Sequence, residues 1–195
     1  MEYVGLSPSI VTKYWFTVLA YLFFHRRQPG TDAIAYEAEL RRFHAALAGA
    51  GIDGFLGSQT YRVGDRYCDW YLVESSAALD ALNEAAVSGA RSPHHDSVAR
   101  AAVDGAGKLL RLAAGNHDAE SPFEIGFSKP RGMTYHDLYA TLRRWTDRPG
   151  VSLWRRMMVL GPAPEFCMLA PESLELPPEM SPEVLRRSLL VDLAP

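Results

Sequence analysis

Imidazole titrates near neutrality and ligates metals, so the six histidines are the first residues to consider for chemistry. His25, His94 and His95 are the candidate catalytic residues. His25 ends an apolar run beside Arg26, and the end of a strand can rim a pocket. His94-His95 opens a helical stretch, where the helix N-terminus disfavours added positive charge and leaves imidazole suited to act as a base or a ligand. Neighbours on a helix diverge by about 100°, so the pair does not chelate one metal. His44 follows Phe43 on a helix and is expected to be a satisfied or exposed side chain. His117 falls in a polar loop, and His136 in a first helical turn beside Asp137. No His-x-x-x-His or His-Glu-x-x-His spacing occurs, and no metal site is expected.

Polar residues that interrupt apolar strands are the candidate ligand contacts: Gln59, Tyr61, Arg62, Tyr71 and Arg155, with Arg156 beside them. A guanidinium aimed into an apolar interior needs an anion, either a protein carboxylate or an acidic ligand. Facing solvent is the alternative for Arg62, Arg155 and Arg156. Asp69 alternates with Cys68 and Trp70. It is either a base or, as burial statistics favour, an exposed strand carboxylate. Asn83-Glu84, with Tyr71, could face the segment around His94. No Gly-rich phosphate loop and no Gly-x-Ser-x-Gly elbow is present.

The elements that must hold these residues follow from periodicity. Trp15 to Phe24 reads as a strand with both faces apolar, hence central. Thr31 or Asp32 caps a helix carrying Tyr36, Leu40, Phe43 and Leu47 on one stripe. Phe55 to Val63 and Tyr67 to Glu74 read as a hairpin around Gly64-Asp65, and Ser75 or Ser76 caps the next helix. Further on, Phe123 to Ser128 is a strand and Thr134 caps a helix with Leu138, Leu142 and Trp145. Val151 to Leu160 and Glu165 to Ala170 are strands, and Ser181-Pro182-Glu183 starts a helix carrying Val184, Leu185 and Leu189. Residues 108–114 suit helix or strand, with helix followed by strand preferred across this segment.

The two halves echo each other. Arg41-Arg42-Phe43 matches Arg143-Arg144-Trp145, and Tyr67-Cys68 before Leu72 to Ser75 matches Phe166-Cys167 before Leu169 to Ser173. The order is kept at an offset of about a hundred residues, which points to a duplicated unit. Residues 14–92 form the first repeat, 93–118 a connecting helix with a candidate fourth strand, and 119–195 the second repeat. Strand-helix-strand-strand-helix-strand is the split βαβ, or ferredoxin-like, order. The fold class expected is therefore α+β: two tandem ferredoxin-like repeats whose antiparallel sheets pack face to face as an α/β barrel.

Composition narrows the rest. A net charge of -3 and the scattered arginine pairs argue against nucleic acid, which calls for a basic surplus. The apolar run Tyr14 to Phe24 is shorter than the ~20 residues that span a bilayer, and no signal-peptide pattern precedes it. A cytoplasmic protein without a membrane partner is expected. Two cysteines, Cys68 and Cys167, fit small buried hydrophobes better than a disulfide framework or a metal cluster. Abundant arginine and alanine suggest a GC-rich bacterial source.

In element order and internal repeat, most of residues 14–195 resembles the dimeric α/β-barrel superfamily, here as a single duplicated chain. The resemblance implies a small-molecule ligand between the facing sheets. It extends to small monooxygenases, to haem enzymes related to chlorite dismutase and to dye-decolourising peroxidases. Gly51-Ile52-Asp53-Gly54 lacks one spacer residue of the last group's Gly-x-x-Asp-Gly pattern and is taken as a loop. The implied function is a small-molecule binder or enzyme with an oxidative activity, either haem-dependent or free of any cofactor, with room for a homodimer. The competing expectation is a non-catalytic interaction or assembly protein whose core is filled.

Overall fold

Alternation in the first apolar run becomes strand β1 (Leu19–Arg27). Leu19, Tyr21 and Phe23 face one hydrophobic cluster, and Val18, Ala20, Leu22 and Phe24 face another. Covered on both sides, β1 is central, lying between strands β3 and β4 defined below. The computed structural model describes residues 18–89, 92–117 and 121–195, so Trp15 to Thr17 of the expected strand lie outside the described residues.

Helix α1 (Ala33–Ala48) begins where Asp32 accepts a hydrogen bond from the Ala35 amide, and it buries Tyr36, Leu40, Phe43, His44 and Leu47. The hairpin β2 (Phe55–Val63) and β3 (Arg66–Val73) follows, then helix α2 (Ala77–Val87). Helix α3 (Ser92–Ala101) leads directly into β4 (Ala102–Ala114), so residues 108–114 are strand. The later elements are β5 (Phe123–Phe127), α4 (Tyr135–Thr146), β6 (Ser152–Arg156), β7 (Phe166–Ala170), β8 (Glu183–Arg186) and β9 (Ser188–Leu193). A short 3-10 turn, Pro178–Met180, precedes β8.

Two expectations need correction. Val151 to Leu160 stops being strand at Arg156, and Met157 to Leu160 closes into a turn through the Leu160 amide and Met157 carbonyl. The helix expected from Ser181-Pro182-Glu183 is instead strand, with Ser181 at φ 50°. Its local start signal is outweighed by two open sheet edges that need partners. β8 pairs with β5, and β9 pairs with β2.

All nine strands form one antiparallel sheet in the order β8-β5-β7-β6-β4-β1-β3-β2-β9. Its two edge strands are consecutive in the chain, with Arg187 alone between them. One segment thus pairs with both ends of the sheet and nearly closes it. The helices pack on the outer face: α1, α2 and α3 over the first half, and α4 over Ile125, Phe127, Phe166 and Met168. This is the expected α+β, ferredoxin-like barrel class. Inside, Trp70 and Trp154 come from different halves and meet edge to face at 5.4 Å between ring centroids. With Leu22 and Leu110 they fill the middle of the lumen. At that level the ligand space expected between the sheets is occupied by side chains, because the inner faces there are apolar and close-packed.

Candidate active site

The register of β1 against β3 sets Phe23 opposite Asp69 and His25 opposite Tyr67, all on the outer face. The β2 register adds Thr60 opposite Asp69 and Ser58 opposite Tyr71. Helix α1 crosses above them and lowers Tyr36 and His44 onto the same spot. The result is a buried polar network in an aromatic shell.

Asp69 is its centre and is only 2% exposed, so the expectation of an exposed strand carboxylate is overturned. Its neighbours on that face are Tyr67 and Tyr71, against which Tyr36 and His44 of α1 pack. An ionised carboxylate can only accept, so its partners donate. Thr60 Oγ1 donates to Oδ1 at 2.7 Å, and His25 Nε2 and Tyr71 Oη donate to Oδ2 at 3.2 and 3.3 Å. His44 Nε2 stands 3.5 Å from Oδ1 and donates to Thr60 Oγ1 at 3.0 Å. The far ring nitrogens are also used: the Tyr36 hydroxyl donates to His25 Nδ1 at 2.7 Å, and the Ser58 hydroxyl to His44 Nδ1 at 2.7 Å. These partners place the ring proton of both histidines on Nε2.

Burial alone would push the Asp69 carboxyl up, but the hydrogen bonds from His25 and His44 outweigh it and hold the group well below the usual carboxylate range. The phenols move the other way. Burial, reinforced by the Asp69 charge, pushes Tyr71 and Tyr36 far up, so both remain donors. Stacking fixes the rings: His44 lies 5.3 Å from Tyr71 at 5° between planes, and His25 lies 5.4 Å from Tyr67 at 12°.

A cavity of about 520 Å³ opens over this network, between the sheet and the three helices of the first half. Asp69, Tyr71, Tyr21 and Phe23 form its floor; Phe43, Leu82, Asn83, His95 and Val98 line its sides and roof. Two glycines of β4 let the floor rings lie flat. A Cβ on Gly105 would come 3.0 Å from the Phe23 ring, and one on Gly107 would come 2.7 Å from the Tyr21 hydroxyl. The lining is mostly apolar with a few convergent polar groups, the usual form of a small-molecule site.

The sequence candidates distribute unevenly around it. Tyr71 and His95 line the cavity, and Asn83 joins them from α2. His25 sits behind Asp69 and reaches the cavity through it. His94 stands outside, 3.8 Å from Glu39 across α1 and α3. Gln59 donates to Asp192 on β9 and accepts from the Tyr61 hydroxyl. Tyr61 lies on the lumen side beneath Arg187. Arg62 pairs with Glu37 at the surface, and Arg155 pairs with Glu165 and stacks on Tyr135. Gln59, Tyr61, Arg62 and Arg155 therefore lie away from the cavity, each already engaged by a neighbour. His44, expected to be satisfied or exposed, is the satisfied kind, with partners on both ring nitrogens, while Ser58 and Thr60 escaped the sequence analysis. The usable signal was the alternation Ser58-x-Thr60 and Tyr67-x-Asp69-x-Tyr71, which marks one strand face as polar and aromatic.

No protein-family model matches the chain, and no curated protein matches it. Solved structures do. A protein assigned as a monooxygenase from Lactobacillus acidophilus superposes with a TM-score of 0.59 at 11% identity, over 91% of this chain and 96% of that one. A protein assigned as a chlorite dismutase superposes with a TM-score of 0.52 at 12% identity, over 80% of each chain. The chain has the dimeric α/β-barrel fold of these proteins; at such identities the likeness speaks for the fold alone.

Haem can be tested against the cavity directly. Among the described residues lining it there is no Arg or Lys to meet the propionates, and the buried charge facing it is the Asp69 carboxylate. His95 is the one lining histidine, with Nδ1 3.2 Å from Asp96. These residues do not fit haem.

Proposed function

We propose that the protein is a small-molecule enzyme of the cofactor-free, monooxygenase-like kind, acting on an aromatic substrate bound in the cavity between helices and sheet. The observation that carries this is an ionised, fully buried carboxylate at the floor of an apolar, aromatic-lined cavity. A flat substrate with a hydroxyl satisfies both features: its rings replace water against Tyr21, Phe23 and Phe43, and its O–H donates to Asp69. A carboxylate held so far below its usual range does not take the proton outright. It accepts the hydrogen bond, polarises the O–H and raises electron density in the ring. His25 and His44 hold the carboxylate in place, and His95 meets the substrate from the roof. That two proteins of this fold are assigned to oxidative classes supports the reading.

The test is a matched pair of ligands. 2-Naphthol should bind about tenfold tighter than naphthalene, equivalent to about 1.4 kcal/mol for one hydrogen bond to a charged group. The difference should vanish in Asp69→Asn. Oxygen uptake with 1,4-dihydroxynaphthalene tests turnover. Equal binding of the two ligands by the wild type would remove Asp69 from substrate recognition.

The filled lumen favours a second reading, a non-catalytic assembly protein, and the exposed turn residues Met158 and Val159 offer it an apolar contact. Absence of both naphthol binding and oxygen uptake, with a concentration-dependent oligomer, would select it.

A further inference from the structure

The lumen face holds a second buried charge cluster, separate from the cavity. Alternation places Lys108 beside Leu22, Arg156 beside Leu110 and Glu124 beside Leu169, all on the inner face. Arg187, between β8 and β9, joins them at 3% exposure. Its guanidinium lies 3.7 Å from the Tyr61 ring centroid and 5.5 Å from that of Trp70.

The polar groups of this cluster do not balance. Arg187 Nε and Nη2 donate to the Ser121 carbonyl at 3.0 and 2.8 Å. Its Nη1 stands 3.6 Å from Glu124 and makes no hydrogen bond. Arg156 donates from Nη1 to the Gly161 carbonyl at 2.8 Å, but its buried Nε has no acceptor, and neither has the indole N–H of Trp70. Lys108 is 5% exposed and makes no ion pair among the described residues. Three cations thus meet one carboxylate, and every orphaned atom is a donor. Buried charges are normally paired, and buried donors normally have acceptors. Burial accordingly weakens the hold of Lys108 on its proton, against the opposing pull of Cys167 and Glu124, and the Arg156 charge adds to the weakening.

We propose that this end of the lumen is an oxyanion site, taking a carboxylate or phosphate group between Lys108, Arg156 and the unpaired edges of Arg187 and Trp70. Two guanidinium forks and an ammonium are the donor set that such groups select, and the surplus positive charge excludes cations. The site stands on the opposite sheet face from the Asp69 cavity and does not depend on the function assigned there.

Thermal unfolding in phosphate, acetate and chloride at equal ionic strength tests it. The oxyanion that binds should raise the midpoint by about 3–5 °C over chloride at about ten times its Kd. Phosphate alone, or acetate alone, identifies the group. Lys108→Met should fold in chloride, since it removes an unpaired buried cation, and should lose the oxyanion shift. Arg156→Gln should reduce the shift and serves if Lys108→Met does not fold. A crystal soaked in selenate should show anomalous scattering between Lys108 and Arg156. No shift with either oxyanion, or a shift unchanged in both variants, overturns the proposal.

Discussion

The two faces of the sheet bury charge in opposite ways. On the outer face, one carboxylate has donors from His25, Thr60 and Tyr71, with His44 close by, and each histidine has a partner on its far nitrogen. On the lumen face, Lys108, Arg156 and Arg187 share one carboxylate and leave donors unmatched. The first network is complete without a ligand, so it is pre-organised and can present Asp69 to a cavity at a fixed angle. The second is incomplete as it stands. A satisfied network specifies geometry, whereas an unsatisfied one specifies what must come to it.

Asp69 is where this contrast breaks most easily. Asp69→Asn keeps the shape but strips the charge that His25, Thr60 and Tyr71 are arranged to meet. It should cost about 3–5 kcal/mol of stability, read from the denaturant midpoint at constant m. A loss below about 1 kcal/mol would mean that the charge is not what the network holds. The pH dependence has a definite sign. A carboxyl depressed by folding stabilises fully above its unfolded pKa of about 4 and loses that contribution as pH falls through the lower, folded value. The stability gap between wild type and Asp69→Asn should therefore narrow as pH falls below about 4.

Arg187→Met tests the opposite face. It removes the Arg187 hydrogen bonds to the Ser121 carbonyl and its charge beside Glu124 but relieves surplus positive charge, so the expected loss is smaller, about 2–3 kcal/mol by denaturant unfolding. A loss equal to that of Asp69→Asn would erase the difference between the two clusters. Tyr36→Phe keeps the ring against His25 and Tyr67 and removes one hydrogen bond. It should cost about 1–2 kcal/mol by the same measurement. The exposed pair Arg62–Glu37 sets the floor: Arg62→Ala should stay within about 0.5 kcal/mol.

Much of the fold was legible because strand faces follow from alternation. The two apolar faces of β1 and the stripe of α1 appear as the periodicity dictates. The helix start at 181–186 was misjudged because Ser-Pro-Glu is a local signal, while the strand it became is set by sheet edges far away in sequence. The candidate site was half legible. Tyr71, His95 and Asn83 share a cavity, and His25 stands one bond behind it. Asp69 was misjudged because a strand carboxylate looks the same in sequence whether water or a helix covers it.

By itself, the amino-acid order determined which residues share a face: Tyr67, Asp69 and Tyr71 on one side of β3, and Cys68, Trp70 and Leu72 on the other. That follows from the two-residue period of an extended backbone, a purely local property. Only the tertiary structure decided what each face meets. α1 covers Asp69, Trp154 reaches Trp70 across the lumen, and Arg187 lies between the strands that close the barrel. Those meetings join residues distant along the chain, and they depend on how a twisted sheet curls until its edges find the same strand segment.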